Sequence, residues 1–261
     1  MRFASLGSGS EGNALLVETR DGASLQRVLV DCGFGLREAE RRLRALGCEP
    51  ATLSAIVVTH EHGDHVGGVF GLAAAHGIPV YLTHGTLRGC SARRVGRAAS
   101  LVRIVDPGRS FELAAFRIEP IAVPHDAYEP VQYVIDSGHK RLGVLTDLGH
   151  GSVHVIEALS RLDALVLECN HDEDLLAGNP AYPPVLKRRI AGPWGHLGNA
   201  ESARILATID RSRLRVVVAA HLSQQNNRPE LARRALAGAL ESAPEEIRVA
   251  DQADGLAWLD V

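Results

Sequence analysis

The stretch Thr59-His60-Glu61-His62-Gly63-Asp64-His65 follows directly on the apolar run Ile56-Val57-Val58 and constrains this chain more than any other segment. His60, His62, Asp64 and His65 place three imidazoles and one carboxylate within six residues, around a glycine at a strand end. Packed together as plain core, such groups would go unpaired at about 1–3 kcal/mol each. Imidazole and carboxylate together suit Zn²⁺, Mn²⁺ or Fe, and a tight loop can fan them into two neighbouring pockets. The segment predicts a metal centre.

Three later segments repeat one layout, an apolar strand ending in a potential ligand: Ile121-Ala122-Val123-Pro124-His125-Asp126, Leu142-Gly143-Val144-Leu145-Thr146-Asp147 and Val216-Val217-Val218-Ala219-Ala220-His221. Each alone reads as a polar residue capping a strand. Strand ends on one edge of a layered fold converge, so His125, Asp147 and His221 can meet the first cluster.

Short Val- and Ile-rich runs alternate with helical stretches along the whole chain, the pattern of a layered α/β protein. Strands are expected over Arg2 to Leu6, Ala14 to Thr19, Arg27 to Asp31, Ala55 to Thr59, Val80 to Thr83, Leu101 to Val105, Phe111 to Val123, Val131 to Ile135, Arg141 to Thr146, Ala164 to Glu168, Arg215 to Ala219 and Gly255 to Leu259. Helices are expected over Leu36 to Leu46, Val66 to His76, Gly85 to Arg97, Val153 to Leu162, Ala200 to Ile209 and Pro229 to Leu240. Leu36, Ala39, Leu43 and Leu46 share one helical face, so the first of these should cover a sheet. The strands flanking Asp136-Ser137-Gly138-His139 read as a hairpin, which makes the sheets mixed. Two mixed sheets covered by outer helices, a four-layer αββα sandwich in one domain over residues 1–261, use all these elements.

With 261 residues, 46% hydrophobic and 23% charged, the chain is an ordinary globular protein rather than a disordered or collagen-like one. Cys32, Cys48, Cys90 and Cys169 show no C-x-x-C spacing, and no secretory leader or span of about 18 apolar residues is seen; reduced thiols, a cytoplasmic location and no membrane partner are expected. The 4% aromatic share argues against a base-stacking single-strand binder. Net charge is −3 but unevenly spread. No acidic residue lies between Asp64 and Asp106, a gap holding Arg88, Arg93, Arg94, Arg97 and Arg103; the gap from Asp174 to Glu201 holds Lys187, Arg188 and Arg189, and that from Asp210 to Glu230 holds Arg211, Arg213, Arg215 and Arg228. Such gaps describe a basic surface for a polyanion.

Taken together, these motifs resemble the metallo-β-lactamase fold superfamily of metallohydrolases over essentially the whole chain. Its H-x-H-x-D-H motif is His60, His62, Asp64 and His65, and its later ligands match His125, Asp147 and His221 in order. The resemblance implies one divalent ion held by His60, His62 and His125 and a second by Asp64, His65 and His221, with Asp147 bridging. Asp31, at the end of Val28-Leu29-Val30-Asp31, matches an aspartate that supports the metal loop. A filled ligand set implies two ions, Zn²⁺ or Mn²⁺; two metals about 3.5–4 Å apart can hold a hydroxide that attacks a phosphate or carbonyl, with Asp64 in the catalytic set.

The substrate is read from other segments. Leu167-Glu168-Cys169-Asn170 and Gly195-His196-Leu197-Gly198-Asn199-Ala200 resemble a pair in the phosphodiesterase branch, in which His196 would protonate the leaving oxygen and Glu168 orient it. The loop Gly7-Ser8-Gly9-Ser10-Glu11-Gly12-Asn13 offers Ser8, Ser10 and Asn13 to a phosphate. With Asn170-His171-Asp172 and the segment from His221 through Ser223 to Asn227, the chain resembles the YycJ/WalJ-like nuclease group, departing at Gly198, where that group usually has Ser. This implies a nucleic-acid phosphodiesterase, DNA before RNA, with 5′ to 3′ exonuclease activity, whose substrate contacts include Arg88, Arg93, Arg94, Lys187, Arg188 and Ser223. Only 21 residues separate His125 from Asp147, too few for the tRNA-binding arm of ribonuclease Z, and the interval from Asp147 to His221 has no room for the inserted domain of β-CASP nucleases. A glyoxalase-type thioester hydrolase, or a metal-binding regulatory protein without turnover, carries the same ligand pattern.

Overall fold

A computed structural model describes residues 1–261. The strands are β1 (Arg2–Gly7), β2 (Ala14–Asp21), β3 (Ser24–Val30), β4 (Ala55–Val57), β5 (Val80–Leu82), β6 (Val102–Ile104), β7 (Phe111–Leu113), β8 (Phe116–Ala122), β9 (Val131–Asp136), β10 (Arg141–Leu145), β11 (Ala164–Glu168), β12 (Val216–Ala220), β13 (Arg248–Val249) and β14 (Leu256–Asp260). They form two seven-stranded sheets, ordered β14-β1-β2-β3-β4-β5-β6 and β13-β12-β11-β10-β9-β8-β7. The helices are α1 (Leu36–Ala45), α2 (Gly63–Val66), α3 (Val69–His76), α4 (His84–Gly89), α5 (Ala92–Val95), α6 (Val153–Ala158), α7 (Glu173–Gly178), α8 (Pro184–Ile190), α9 (Asn199–Thr208) and α10 (Pro229–Leu240).

The layering follows from alternation along the strands. Val28 and Val30 of β3, and Ala55 and Val57 of β4, point between the sheets, while Leu29 and Ile56 point out beneath α1 and α3. In the second sheet Ala164, Val166, Val218 and Ala220 face inward, and Leu165, Leu167, Val217 and Ala219 face α6, α9 and α10. Both faces of the central strands are therefore buried, which is why these strands read as continuous apolar runs. The αββα sandwich expected from the sequence is the observed fold. No helix is long and apolar enough to cross a membrane.

Several boundaries differ from the sequence reading, each for a local reason. The strand expected over Phe111 to Val123 is a β7–β8 hairpin, turned at Ala114 with φ 54° and no glycine or proline to announce it. The helix expected over Val66 to His76 breaks at Gly67-Gly68, where a Cβ on Gly68 would sit 1.8 Å from the Phe34 carbonyl oxygen. The helix expected over Gly85 to Arg97 divides at Cys90-Ser91, and the Ser91 hydroxyl caps α5 by accepting from Arg94 N. The short elements α7, α8 and β13 carry too little periodicity to be seen in the sequence. The hairpin around Gly138 is present, with Arg141 opposite Asp136, and Ala39 and Leu43 of α1 are buried as expected, although Leu36 stays partly exposed.

Candidate metal centre and active site

Strands β3 and β4 run parallel, as do β10, β11 and β12, and the site collects at their C-terminal ends. Asp31 follows β3, His60 lies beyond β4, Asp147 beyond β10, Glu168 ends β11 and His221 follows β12. Asp31, Asp147 and His221 have φ of 60°, 56° and 55°. This left-handed region costs a non-glycine residue of order 1–3 kcal/mol, and such strain persists only where surrounding structure over-determines it. Here it turns the chain sharply at three strand ends.

Four of the histidine ligands are held from their outer side. The Thr59 amide and hydroxyl donate to the two Asp31 carboxylate oxygens at 2.8 Å each. Because that hydroxyl proton goes to Asp31, Thr59 Oγ1 can only accept from His60 Nδ1, 2.9 Å away, which leaves the His60 Nε2 lone pair facing inward. His65 Nδ1 lies 2.8 Å from Asp31 Oδ2, His125 Nδ1 3.0 Å from the Gly195 carbonyl oxygen, and His221 Nδ1 3.1 Å from Glu168 Oε1. Four imidazoles thus spend Nδ1 on protein acceptors and turn Nε2 to one centre, the arrangement that orients histidine ligands.

The inward atoms form two sets, His60, His62 and His125 in one and Asp64, His65 and His221 in the other, each with ligand atoms within 4.8 Å of one another. Asp147 lies between them: its Oδ2 is 2.9 Å from His65 Nε2, and its Oδ1 is 3.5 Å from His221 Nδ1 and 4.0 Å from His125 Nε2. His60 Nε2 and His221 Nε2 are buried without a hydrogen bond, beside the buried Asp147 carboxylate. Buried acceptors converging without donors fit divalent cations. Burial drives His60 well below the ordinary histidine range. His65 and His221 lie as deep, but adjacent carboxylates overcome burial and raise His65 well above that range and His221 to about 10. The centre demands positive charge.

A second pair opens on the same cavity. His196 Nδ1 is 2.8 Å from Glu168 Oε1, and Glu168 Oε2 accepts from the amides of Leu148 at 2.9 Å and Leu197 at 3.2 Å. Burial opposes its charge, yet His196 and His221 hold Glu168 down at about 2. Burial likewise opposes a cation at His196, and Glu168 and Asp147 raise it. Asp147, Glu168, His196 and His221 also form a cluster of ligand-type atoms within 4.8 Å. The cavity, about 230 Å³, is lined by His62, Asp64, Asp147, His196 and His221 together with Ser10, Asp126, Leu186, Arg189, Ile190 and Gly195.

Other residues expected to hold substrate are placed differently. The Ser8 hydroxyl accepts from His221 N at 2.8 Å, and Asn13 is buried, bonding Gly9 and lying 3.1 Å from His65 Nε2. Ser8 thus backs His221, whereas the Asn13 amide lies at the inward nitrogen of His65; of that loop's candidates, Ser10 lines the cavity. Ser223 Oγ accepts from Asn226 N at 3.1 Å and closes its own turn. Lys187 donates to the Ala177 carbonyl oxygen at 2.6 Å and Arg188 faces solvent, whereas Leu186, Arg189 and Ile190, at i, i+3 and i+4 of α8, form its cavity face. Arg189, paired with Asp126 at 2.7 Å, was visible in the sequence only as part of a basic run. Arg88, Arg93 and Arg94 are exposed on α4 and α5; α4 packs at Gly89 against Glu61, between His60 and His62. At Gly198 a Cβ would meet Glu173 Oε1 at 2.4 Å, and that carboxylate instead caps Ala200 N at 3.1 Å. His171 is buried beside Gly198, its Nδ1 unpartnered.

Fold and site together define a metallo-β-lactamase-fold metallohydrolase. The beta-lactamase superfamily domain matches residues 26–221. The chain is 31% identical over 244 residues to the exodeoxyribonuclease WalJ of Streptococcus pneumoniae, covering 93% of this chain and 89% of the relative. It is 32% identical over 241 residues to the exodeoxyribonuclease YycJ of Bacillus anthracis, covering 92% and 89%. The crystal structure of the metallo-β-lactamase fold protein YhfI from Bacillus subtilis superposes with a TM-score of 0.71 at 15% identity, over 99% of both chains. The chain belongs to the beta-lactamase superfamily and, within it, to the family of WalJ and YycJ. It is a metal-dependent hydrolase.

Proposed function

We propose that this protein is a two-metal exonuclease acting on DNA in the cytoplasm, built as one catalytic domain. The observation that carries the reading is the His196–Glu168 pair opening on the same cavity as the two ligand sets, in a chain about a third identical to two exodeoxyribonucleases over nine-tenths of its length. His60, His62 and His125 would hold one ion and Asp64, His65 and His221 the other, with Asp147 shared. When bound, Zn²⁺ or Mn²⁺ ions at these sets supply an ionised water and charge neutralisation at the phosphate. His196 delivers a proton to the leaving oxygen, and Glu168 holds it in position through Nδ1. Arg189, which lines the same cavity, would contact the non-bridging oxygens.

The test is a substrate panel of 5′-phosphorylated duplex DNA, single-stranded DNA, RNA, bis-p-nitrophenyl phosphate and a glutathione thioester, each with Zn²⁺ and with Mn²⁺. Stepwise release of nucleotides from DNA ends supports the proposal. Turnover of the thioester alone, or of no substrate, overturns it.

A further inference from the structure

Eleven aromatic residues are spread over this chain, and nine are buried or partly buried. The two exposed ones are Tyr128, 70% exposed, and Trp194, 60% exposed. Both lie on loops that carry the site. Tyr128 follows His125 by three residues, and Trp194 stands between Ile190 and His196, next to cavity-lining Gly195. These loops are joined twice, by the 3.0 Å contact of His125 Nδ1 with the Gly195 carbonyl oxygen and by the 2.7 Å Asp126–Arg189 ion pair.

The backbones beneath the two rings are fixed. Tyr128 N donates to Glu61 Oε1 at 2.9 Å, Glu61 being the residue between His60 and His62. Gly195 N and His196 N donate to the Gly192 and Ile190 carbonyl oxygens, and the Pro193 backbone lies too close to Gly149 to leave room for a Cβ there. A lone exposed apolar side chain is ordinary. Here, in a chain poor in aromatics, both exposed rings stand on hydrogen-bonded loops that also carry residues of the cavity wall, Tyr128 two residues after Asp126 and Trp194 next to Gly195 and two before His196.

Resting on the nuclease reading above, we propose that Trp194 and Tyr128 are base-stacking surfaces, and that the strand is engaged with unpaired nucleotides flanking the scissile phosphate. Every base has a π-face, so such contacts grip a strand without reading its sequence. The low aromatic share thus conceals a local platform.

Trp194 reports on this directly, since the other tryptophan, Trp258, is tied to the Leu46 carbonyl oxygen and lies under Arg2. In Trp258→Phe protein, titration with phosphorothioate oligo(dT) should quench fluorescence, while an abasic strand of equal charge should not. Trp194→Ala and Tyr128→Ala should each weaken oligo(dT) binding by about 5- to 150-fold, the range for losing one stacked base. They should leave binding of the abasic strand unaffected, and Trp194→Phe should recover most of the affinity. Equal binding of abasic and oligo(dT) strands, or tighter binding of blunt duplex than of a strand with an unpaired end, overturns the inference even if DNA is hydrolysed. Quenching by oligo(dT) without hydrolysis of any nucleic acid upholds the platform and removes the nuclease reading.

Discussion

His196 and Glu168 are joined by a 2.8 Å contact between Nδ1 and Oε1, and the same carboxylate oxygen lies 3.1 Å from His221 Nδ1. One buried charge therefore orients both the proton donor and a ligand of the metal centre. His196→Ala should lower kcat on DNA by roughly 10²–10⁴ with KM within a few-fold, and by much less on a p-nitrophenyl ester, whose leaving group needs little protonation. Glu168→Gln removes the charge that raises His196. The acid form of His196 is then lost at lower pH, so the alkaline limb of the kcat profile should move down. An unchanged limb would exclude His196 as the acid.

Metal content is the second prediction. Protein loaded with Zn²⁺ or Mn²⁺ should contain two ions per chain, and Asp147→Ala should reduce occupancy of both sets, because Asp147 lies between them. Ligand at 100-fold its Kd stabilises a fold by about 2.7 kcal/mol, so chelation should lower Tm. A Tm insensitive to chelator, with metal content below one that added Zn²⁺ or Mn²⁺ cannot raise, would contradict the assignment.

The two groups of basic residues should separate kinetically. Arg189 lines the cavity, so Arg189→Ala should raise KM for short and long substrates alike. Arg88, Arg93 and Arg94 lie outside it; their charge reversal should weaken long duplexes, spare small diesters and flatten the salt dependence by about 0.9 per lost phosphate contact. Salt titrations of wild type and the triple variant decide this.

Away from the site, the Asp163 carboxylate accepts from Arg141 N and Arg213 at 2.9 Å and from Lys140 at 3.3 Å, pinning the starts of β10 and β11. Burial raises its pKa, but these donors hold it below the ordinary aspartate value. A depressed pKa contributes stability above the unfolded-state value, near 3.9, that is lost as pH falls towards the folded-state value. Asp163→Asn should therefore cost about 1.5–3 kcal/mol at pH 7 in urea unfolding, the range for charged hydrogen bonds, with the gap to wild type narrowing below about pH 4. A constant gap from pH 7 to pH 3 would show that the charge is not responsible.

Much of the site was legible because its chemistry is local. His60, His62, Asp64 and His65 fall within six residues, and His125, Asp147 and His221 each terminate an apolar run, so strand direction alone sends them to one edge. Other features depended on tertiary structure. Ser8 and Asn13 look like phosphate contacts in a glycine-rich loop, but that loop packs against residues more than fifty and two hundred positions away, which turns their polar atoms onto His65 and His221. Lys187, Arg188 and Arg189 are equivalent as a basic run; the phase of α8 selects Arg189 for the cavity, and nothing in the local periodicity announces that helix. Gly198 reads as a missing hydroxyl until Glu173 is seen in its place. The left-handed turns at Asp31, Asp147 and His221 are imposed by neighbouring strands rather than by their own preference. Ligand identity is a property of residue type and spacing, which sequence carries, whereas the side to which a loop side chain turns is settled by packing between distant segments.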